Sequence, residues 1–250
     1  MNVDKNLVRG SFILLICFGV YNALNFIFHF FMVRALTLKE YGILATLFSI
    51  LYISGVFSES IQIILTKFSS EENDKGKLKN IIKKSFKKAF VVSFILFFAY
   101  LFLSILLVKF LKIPYSLLLM SGILIFLIFL IPINRGVMQG RKRFWQLGFN
   151  MVLESTGKIA FSLVFVYLGL KVYGAMFGLI MGVIIAFAFS FFSVRDIIGV
   201  KEKKSGTVGI YEYSGHTFIV ILVLTVFYSI DILVAKAFFP EDFAGSYAIA

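Results

Sequence analysis

Apolar residues run along this chain in blocks of twenty or more, separated by short polar or basic intervals. The blocks fall at about 10–33, 41–66, 89–110, 115–134, 147–169, 172–193 and 213–236, and an eighth begins near Tyr247. Each complete block is long enough to cross roughly 30 Å of hydrocarbon as a helix. The short alternating segments of a membrane β-barrel do not occur. The pattern therefore predicts an all-α polytopic membrane protein with about seven complete transmembrane helices and the start of an eighth. Composition agrees: 60% of residues are hydrophobic, 18% are aromatic, and the mean hydropathy is +0.96, outside the range of soluble domains.

Charge then orients the spans. Of the 25 Lys and Arg, 18 fall in the N-terminal segment and the alternate connections Lys67–Lys88, Arg135–Arg143 and Arg195–Lys204. Six fall in the intervening connections, and Lys158 stands alone in mid-span. The positive-inside rule places the richer set, and with it the N-terminus, in the cytoplasm. The net charge of +12 thus reads as orientation and contact with membrane lipids, and no basic soluble module is present to bind nucleic acid. Lys5 and Arg9 precede an apolar block too long for a signal-peptide core, so the first span is expected to be retained.

In 67–88, Leu78, Ile81, Ile82, Phe86 and Ala89 share one helical face and lysines cover the rest. The spacing predicts a basic amphipathic helix on the inner leaflet that leads into the third span. Gly174, Gly178 and Gly182 recur every four residues in the sixth span and predict close helix packing. Cys17 is the single cysteine, and His29 and His216 are isolated. No metal or cofactor site is therefore indicated. Ser155-Thr156-Gly157-Lys158 resembles the end of a phosphate-binding loop, but Val152 stands where that motif needs Gly, and the segment lies within a span. Nothing in the chain points to an enzyme.

The informative residues are polar groups at membrane depth, which are costly there and face partners or water-filled cavities. Asn150, Glu154, Lys158 and Ser162 form one stripe, with Glu154 and Lys158 in the favourable order for an ion pair. Asn22, Asn25 and His29 share a face of the first span, and Glu59, Gln62 and Thr66 a face of the second. Three such stripes suggest a shared hydrated cavity, with buried polar contacts between helices as the competing reading.

A short echo divides the chain. Arg34-Ala-Leu-Thr-Leu-Lys-Glu-Tyr41-Gly42 matches Lys236-Ala-Phe-Phe-Pro-Glu-Asp-Phe243 followed by Ala244-Gly245, at an offset of 202 residues with one insertion. Six spans separate the copies, so the second enters the membrane in the same direction as the first, as in a parallel repeat. Residues 1–200 then form a six-helix lobe, and 201–250 begin a second. The offset places His29 opposite Asp231, which suggests a cavity-lining pair whose protonation is linked to transport.

Arg34-Ala-Leu with Glu40-Tyr41-Gly42, Gln139-Gly140-Arg141, Val172-Tyr173-Gly174-Ala175, and Asp231-Ile-Leu-Val-Ala-Lys236 ahead of Ala244-Gly245-Ser-Tyr247-Ala248 occur in this order. In their order and spacing, these motifs resemble the polysaccharide-biosynthesis flippases of the multidrug/oligosaccharidyl-lipid/polysaccharide exporter superfamily. The resemblance implies two six-helix lobes around a central cavity and rocking-type alternating access. It also implies a lipid-linked oligosaccharide on a polyprenyl or dolichyl (di)phosphate as cargo, with H+ or Na+ as candidate coupling ions. In that setting Lys158 would hold the phosphate, with Arg34 at the outer mouth as the weaker candidate. The family continues for five or more spans past the point where this sequence stops, so a fragment is expected, or a partner that supplies the rest. The alternatives are a cation-coupled multidrug exporter of the same superfamily and a non-transporting membrane scaffold. A membrane glycosyltransferase would want carboxylate-rich soluble loops, and those are missing here.

Overall fold

Every apolar block is helical in the computed structural model, which describes residues 5–205 and 214–249. The side chains of 5–8, 214–221, 224, 228, 241 and 242 lie outside that description, including those of Lys5, His216 and the echo's Glu241 and Asp242. In chain order the helices are α1 (Lys5–Ala35), α2 (Leu38–Glu71), α3 (Lys75–Leu111), α4 (Tyr115–Ile128) and α5 (Ile131–Gly140). They continue with α6 (Phe144–Phe165), α7 (Lys171–Ser193), the single turn α8 (Arg195–Ile198), α9 (Ser214–Phe238) and α10 (Glu241–Ile249). Five helical stretches among the described residues are long and apolar enough to cross a membrane. The last of these, Phe144–Ser193, is a hairpin. It reverses at a π-type turn, Val166–Leu170, where Gly169 has φ +89°, a conformation that only glycine adopts readily. The stretch therefore supplies two crossings. The 25 residues of α9, about 37 Å of helix, stand where the sequence places a seventh, and α10 begins six residues before Tyr247.

Two expectations are corrected. The basic stretch is not a separate helix on the leaflet but the first part of α3, a single helix of 37 residues. No Gly or Pro interrupts residues 77–111, so nothing breaks it. Its apolar face meets protein: Leu78, Ile81 and Ile82 are buried with Leu65, Val137, Val194 and Ile197. The fourth span also ends differently. The helix breaks at Phe129–Leu130 and restarts as α5 with Pro132 in its first turn, where a missing N–H costs nothing. Arg135 therefore lies in a helix and bonds to Asn150 and Glu154 of α6 instead of standing in a loop; the charge bias keeps its direction without it.

Packing follows the glycines. In the α6–α7 hairpin a Cβ on Gly178 would lie 2.3 Å from Ser162 N, and one on Gly182 would lie 2.6 Å from Glu154 O. The predicted stripe is thus where two backbones touch. Gly136 and Gly140 bring α5 equally close to α2, at Gln62 O and Thr66 O, which sets Gln139 against α2 while Arg135 reaches α6. The repeat is visible in the helices. α1 ends at Ala35 and α2 starts at Leu38; α9 ends at Phe238 and α10 starts at Glu241, each within one residue of the 202 offset. α9 and α10 both pack on α2. A Cβ on Gly42 would lie 2.8 Å from Gly245 N, and one on Gly245 would lie 2.0 Å from Leu38 O.

At the lysine-rich end, the segment from α8 to Ser205 is strapped along the first turns of α3. Arg143 grips Asp196 through two hydrogen bonds of 2.8 Å, and Lys75 binds the same carboxylate at 2.9 Å. Lys203 pairs with Asp74 at 2.6 Å, and Lys83 with Glu202 at 2.8 Å. Lys79 donates to Val200 O at 2.8 Å. The hydrogen bond from Arg143 holds the Asp196 carboxyl well below its ordinary value of 3.8, against the upward push of burial and with help from Lys75.

Candidate functional site

Polar side chains from α1, α2, α5 and α6 meet in a ladder that climbs from the lysine-rich end towards the far end. Its lowest rung joins α2 to α5: Gln62 donates to Gln139 Oε1 at 2.9 Å, and Thr66 donates to the same oxygen at 3.3 Å. The next rung is built on Arg135. Its Nε donates to Asn150 Oδ1 at 2.7 Å, and its Nη2 forms an ion pair with Glu154. Asn150 is fully buried and donates in turn to Ala186 O of α7 at 2.6 Å, which fixes the amide that receives Arg135.

Lys158 stands one turn above Glu154, but the expected pair between them does not form. Glu154 is taken by Arg135, a residue that sequence reading assigned to a loop. Lys158 is 6% exposed and donates to the neutral Asn25 Oδ1, while Asn25 also reaches Ser155 Oγ at 3.5 Å. The ammonium lies 4.6 Å from the centre of the Phe28 ring and 5.9 Å from that of Phe48. Such ring faces attract a cation without cancelling its charge. Arg135 and Lys158 against Glu154 leave this wall net cationic.

Above Lys158, His29 Nδ1 lies 3.2 Å from the Tyr41 hydroxyl, and its ring packs 4.9 Å from Phe48. The Asp231 carboxylate accepts from Tyr247 at 3.0 Å instead of meeting His29. The two offset-related residues thus form no pair; each is held by a tyrosine of the next helix. Three other predicted residues stay apart from the ladder. Asn22 is exposed and donates only to Phe18 O of its own helix. Glu59 is exposed and has no hydrogen-bond or ion-pair partner among the described residues. Arg34 lies with its guanidinium 4.1 Å from the centre of the Phe30 ring. It stands at the rim of a half-open cleft of ≈ 510 Å³ between α1, α2, α9 and α10, lined also by His29, Tyr41 and Phe48.

Sequence reading missed Arg135, Gln139 and the aromatic partners of Lys158. One signal was present: Arg135 and Gln139 are spaced i,i+4, a polar face that makes sense only if the helix continues past Pro132.

The chain matches the model of a family described as "Polysaccharide biosynthesis protein" over residues 7–250. No curated protein matches it. Among solved structures it resembles an inward-facing multidrug resistance MATE family transporter of the MOP superfamily, with TM-score 0.72 and 15% identity over 92% of this chain and 56% of the other. The outward-facing conformation of such a transporter matches at TM-score 0.68 and 19% identity, over 90% and 53%. A MOP superfamily transporter from Pyrococcus furiosus, described as having a binding pocket of reverse polarity, matches at TM-score 0.67 and 17% identity, over 90% and 53%. At these identities the likeness is one of fold, and the chain spans just over half the length of these transporters.

Proposed function

Since this chain belongs to the polysaccharide biosynthesis protein family, we propose that it forms the first lobe (residues 1–200) and the start of the second lobe (201–250) of a flippase. The flippase moves a lipid-linked saccharide precursor across the cytoplasmic membrane by alternating access. The lysine-rich end and the N-terminus face the cytoplasm. The observation that carries this reading is a buried cation without a carboxylate partner: Lys158 rests on a neutral amide and two aromatic rings behind the cleft, with the nearby carboxylate engaged elsewhere. A buried cation in that setting favours an anionic guest. A polyprenyl or dolichyl phosphate meets it with a headgroup phosphate while its tail stays in the bilayer. Arg135 and Gln139 lie along the way from the cytoplasmic mouth.

The test is a cell in which the native gene is replaced by a Lys158→Met variant. Lipid-linked glycan is expected to accumulate in the inner leaflet, with loss of surface glycan. Normal surface glycan with reduced drug resistance would favour the second reading, cation-coupled multidrug export. The unpartnered Glu59 carboxylate on α2 speaks for that alternative.

A further inference from the structure

We propose that the cleft above Lys158 is a saccharide subsite, in which one or two sugar rings of the cargo stack on aromatic faces while their phosphate is held below. This rests on the lipid-linked saccharide reading and adds the place where the sugar is recognised.

The cleft lies directly beneath the contact between Gly42 and Gly245. Tyr41 and Ala45 line it from one side of that contact, and Ala248 and Ile249 from the other. It therefore lies between the two repeats, beside the point where their backbones touch. Its floor is shared with the cationic wall, since the Phe48 ring both lines the cleft and stands 5.9 Å from the Lys158 ammonium. A phosphate at Lys158 and a ring in the cleft would be neighbours on one molecule.

The lining is mixed in a way that selects the guest. Phe26, Phe30 and Tyr52 are exposed residues, at 71%, 44% and 51%, and the buried Phe48 lies behind them in the lining. Among them stand the His29–Tyr41 pair, the Ser49 hydroxyl and the Arg34 guanidinium. His29 and Tyr41 hold each other and Ser49 donates to Ala45 O, so an alkyl chain would waste only their spare capacity and would leave the Arg34 guanidinium facing hydrocarbon, which is costly. A small inorganic ion would leave the rings uncovered. A pyranose has both surfaces: C–H faces that lie on aromatic rings, and hydroxyls at its edge that exchange hydrogen bonds with His, Tyr, Ser and Arg. The volume of ≈ 510 Å³ falls within the range of small-molecule sites.

The experiment measures binding to the full-length protein in lipid nanodiscs. The probes are farnesyl diphosphate and farnesyl diphosphate carrying a single glucose, galactose or N-acetylglucosamine. At least one glycosylated probe is expected to bind about tenfold tighter than the bare diphosphate, the scale of one or two aromatic contacts. Phe26→Leu and Tyr52→Leu should erase that ratio and leave the bare diphosphate's affinity unchanged, which also shows that the variants are folded. Lys158→Met should weaken both kinds of probe in parallel and preserve the ratio. Equal affinity for glycosylated and bare probes in the unaltered protein overturns the subsite, as does a ratio that survives both aromatic substitutions. If only glycosylated probes bind, the subsite stands and the phosphate role of Lys158 falls. If no probe binds, both fall.

Discussion

Gly42 and Gly245, the glycines of the two copies of the internal repeat, meet each other. A Cβ on Gly42 would lie 2.8 Å from the backbone nitrogen of Gly245. A side chain at either position must part α2 and α10, and overpacking of this kind costs about 1–3 kcal/mol. Gly42→Ala and Gly245→Ala are each expected to lower thermal stability in detergent. The double variant should lose less than the two losses together, because the first methyl group has already made room for the second. Full additivity in a double-mutant cycle would show that the two glycines do not share one contact.

The neighbours of Gly42 explain why that motif reads as a unit. Glu40 and Thr37 cap α2 reciprocally, and Glu40 also pairs with Lys171 of the α6–α7 turn at 2.8 Å. Tyr41 holds His29. One capping box, one aromatic anchor and one point of backbone contact are packed into six residues.

Lys158 and Arg135 should respond oppositely to loss of a partner. Glu154→Gln strips a largely buried guanidinium of its counter-ion, and removing one member of a buried pair costs about 3–5 kcal/mol when burial is complete. Here both side chains keep some exposure, 12% and 19%, so a loss of about 2–3 kcal/mol is expected. Lys158→Met removes a cation from a neutral amide and two rings and should cost little or nothing. Unfolding in a denaturing detergent titration ranks the two variants. An equal or larger loss for Lys158→Met would mean that Glu154 serves Lys158 after all.

The hairpin glycines separate packing from helix preference. In Gly178→Ala the new methyl meets the backbone of Ser162, and yield of folded protein after detergent extraction should drop. In Gly19→Ala it meets nothing within 4 Å, and the gain in helix propensity, about 1 kcal/mol, should leave the yield unchanged or higher.

The strap at the lysine-rich end has a defined pH range. Asp196 has its pKa depressed, chiefly by Arg143, so its contribution is present above its ordinary 3.8 and fades as pH falls through the lower folded value. Lys203 has its pKa raised above 10.5 by Asp74, so its contribution is present below that value and fades as pH climbs through the higher one. A nitroxide at position 205, in a Cys17→Ser background, should therefore keep the same mobility from about pH 5 to about pH 9. It should loosen with Asp196→Asn, and also with added salt, because these pairs are exposed enough to be screened.

How much of this was legible beforehand depends on whether a feature belongs to one helix or to two. The spans, the glycine stripe and the polar face of α6 are periodicities within single helices, and all three appear in the structure. The repeat was legible because both copies carry their own turn chemistry, and α10 begins within one residue of the position its offset implies. Partners across helices were not legible. Glu154 has Lys158 four residues away on its own helix, yet it bonds to Arg135, nineteen residues away, because Gly136 and Gly140 draw α5 inward. His29 and Asp231 are set opposite by the 202-residue offset, but each is bonded to a tyrosine instead of to the other. The lysines of α3 looked like a face for lipid because the acids that claim Lys75 and Lys83, and the carbonyls that claim Lys79 and Lys84, lie about 120 residues further on.

Those acids also set a length. With the chain pinned to α3 as far as Ser205, the tether to the first described residue of α9 is the eight residues 206–213. A fully extended chain of that length reaches about 30 Å at most. The start of α9 therefore lies within that radius of the base of α3. Ile197 is buried in the core beside α3, so release of the Lys83–Glu202 and Lys203–Asp74 pairs would add the seven residues 199–205 and nearly double that reach.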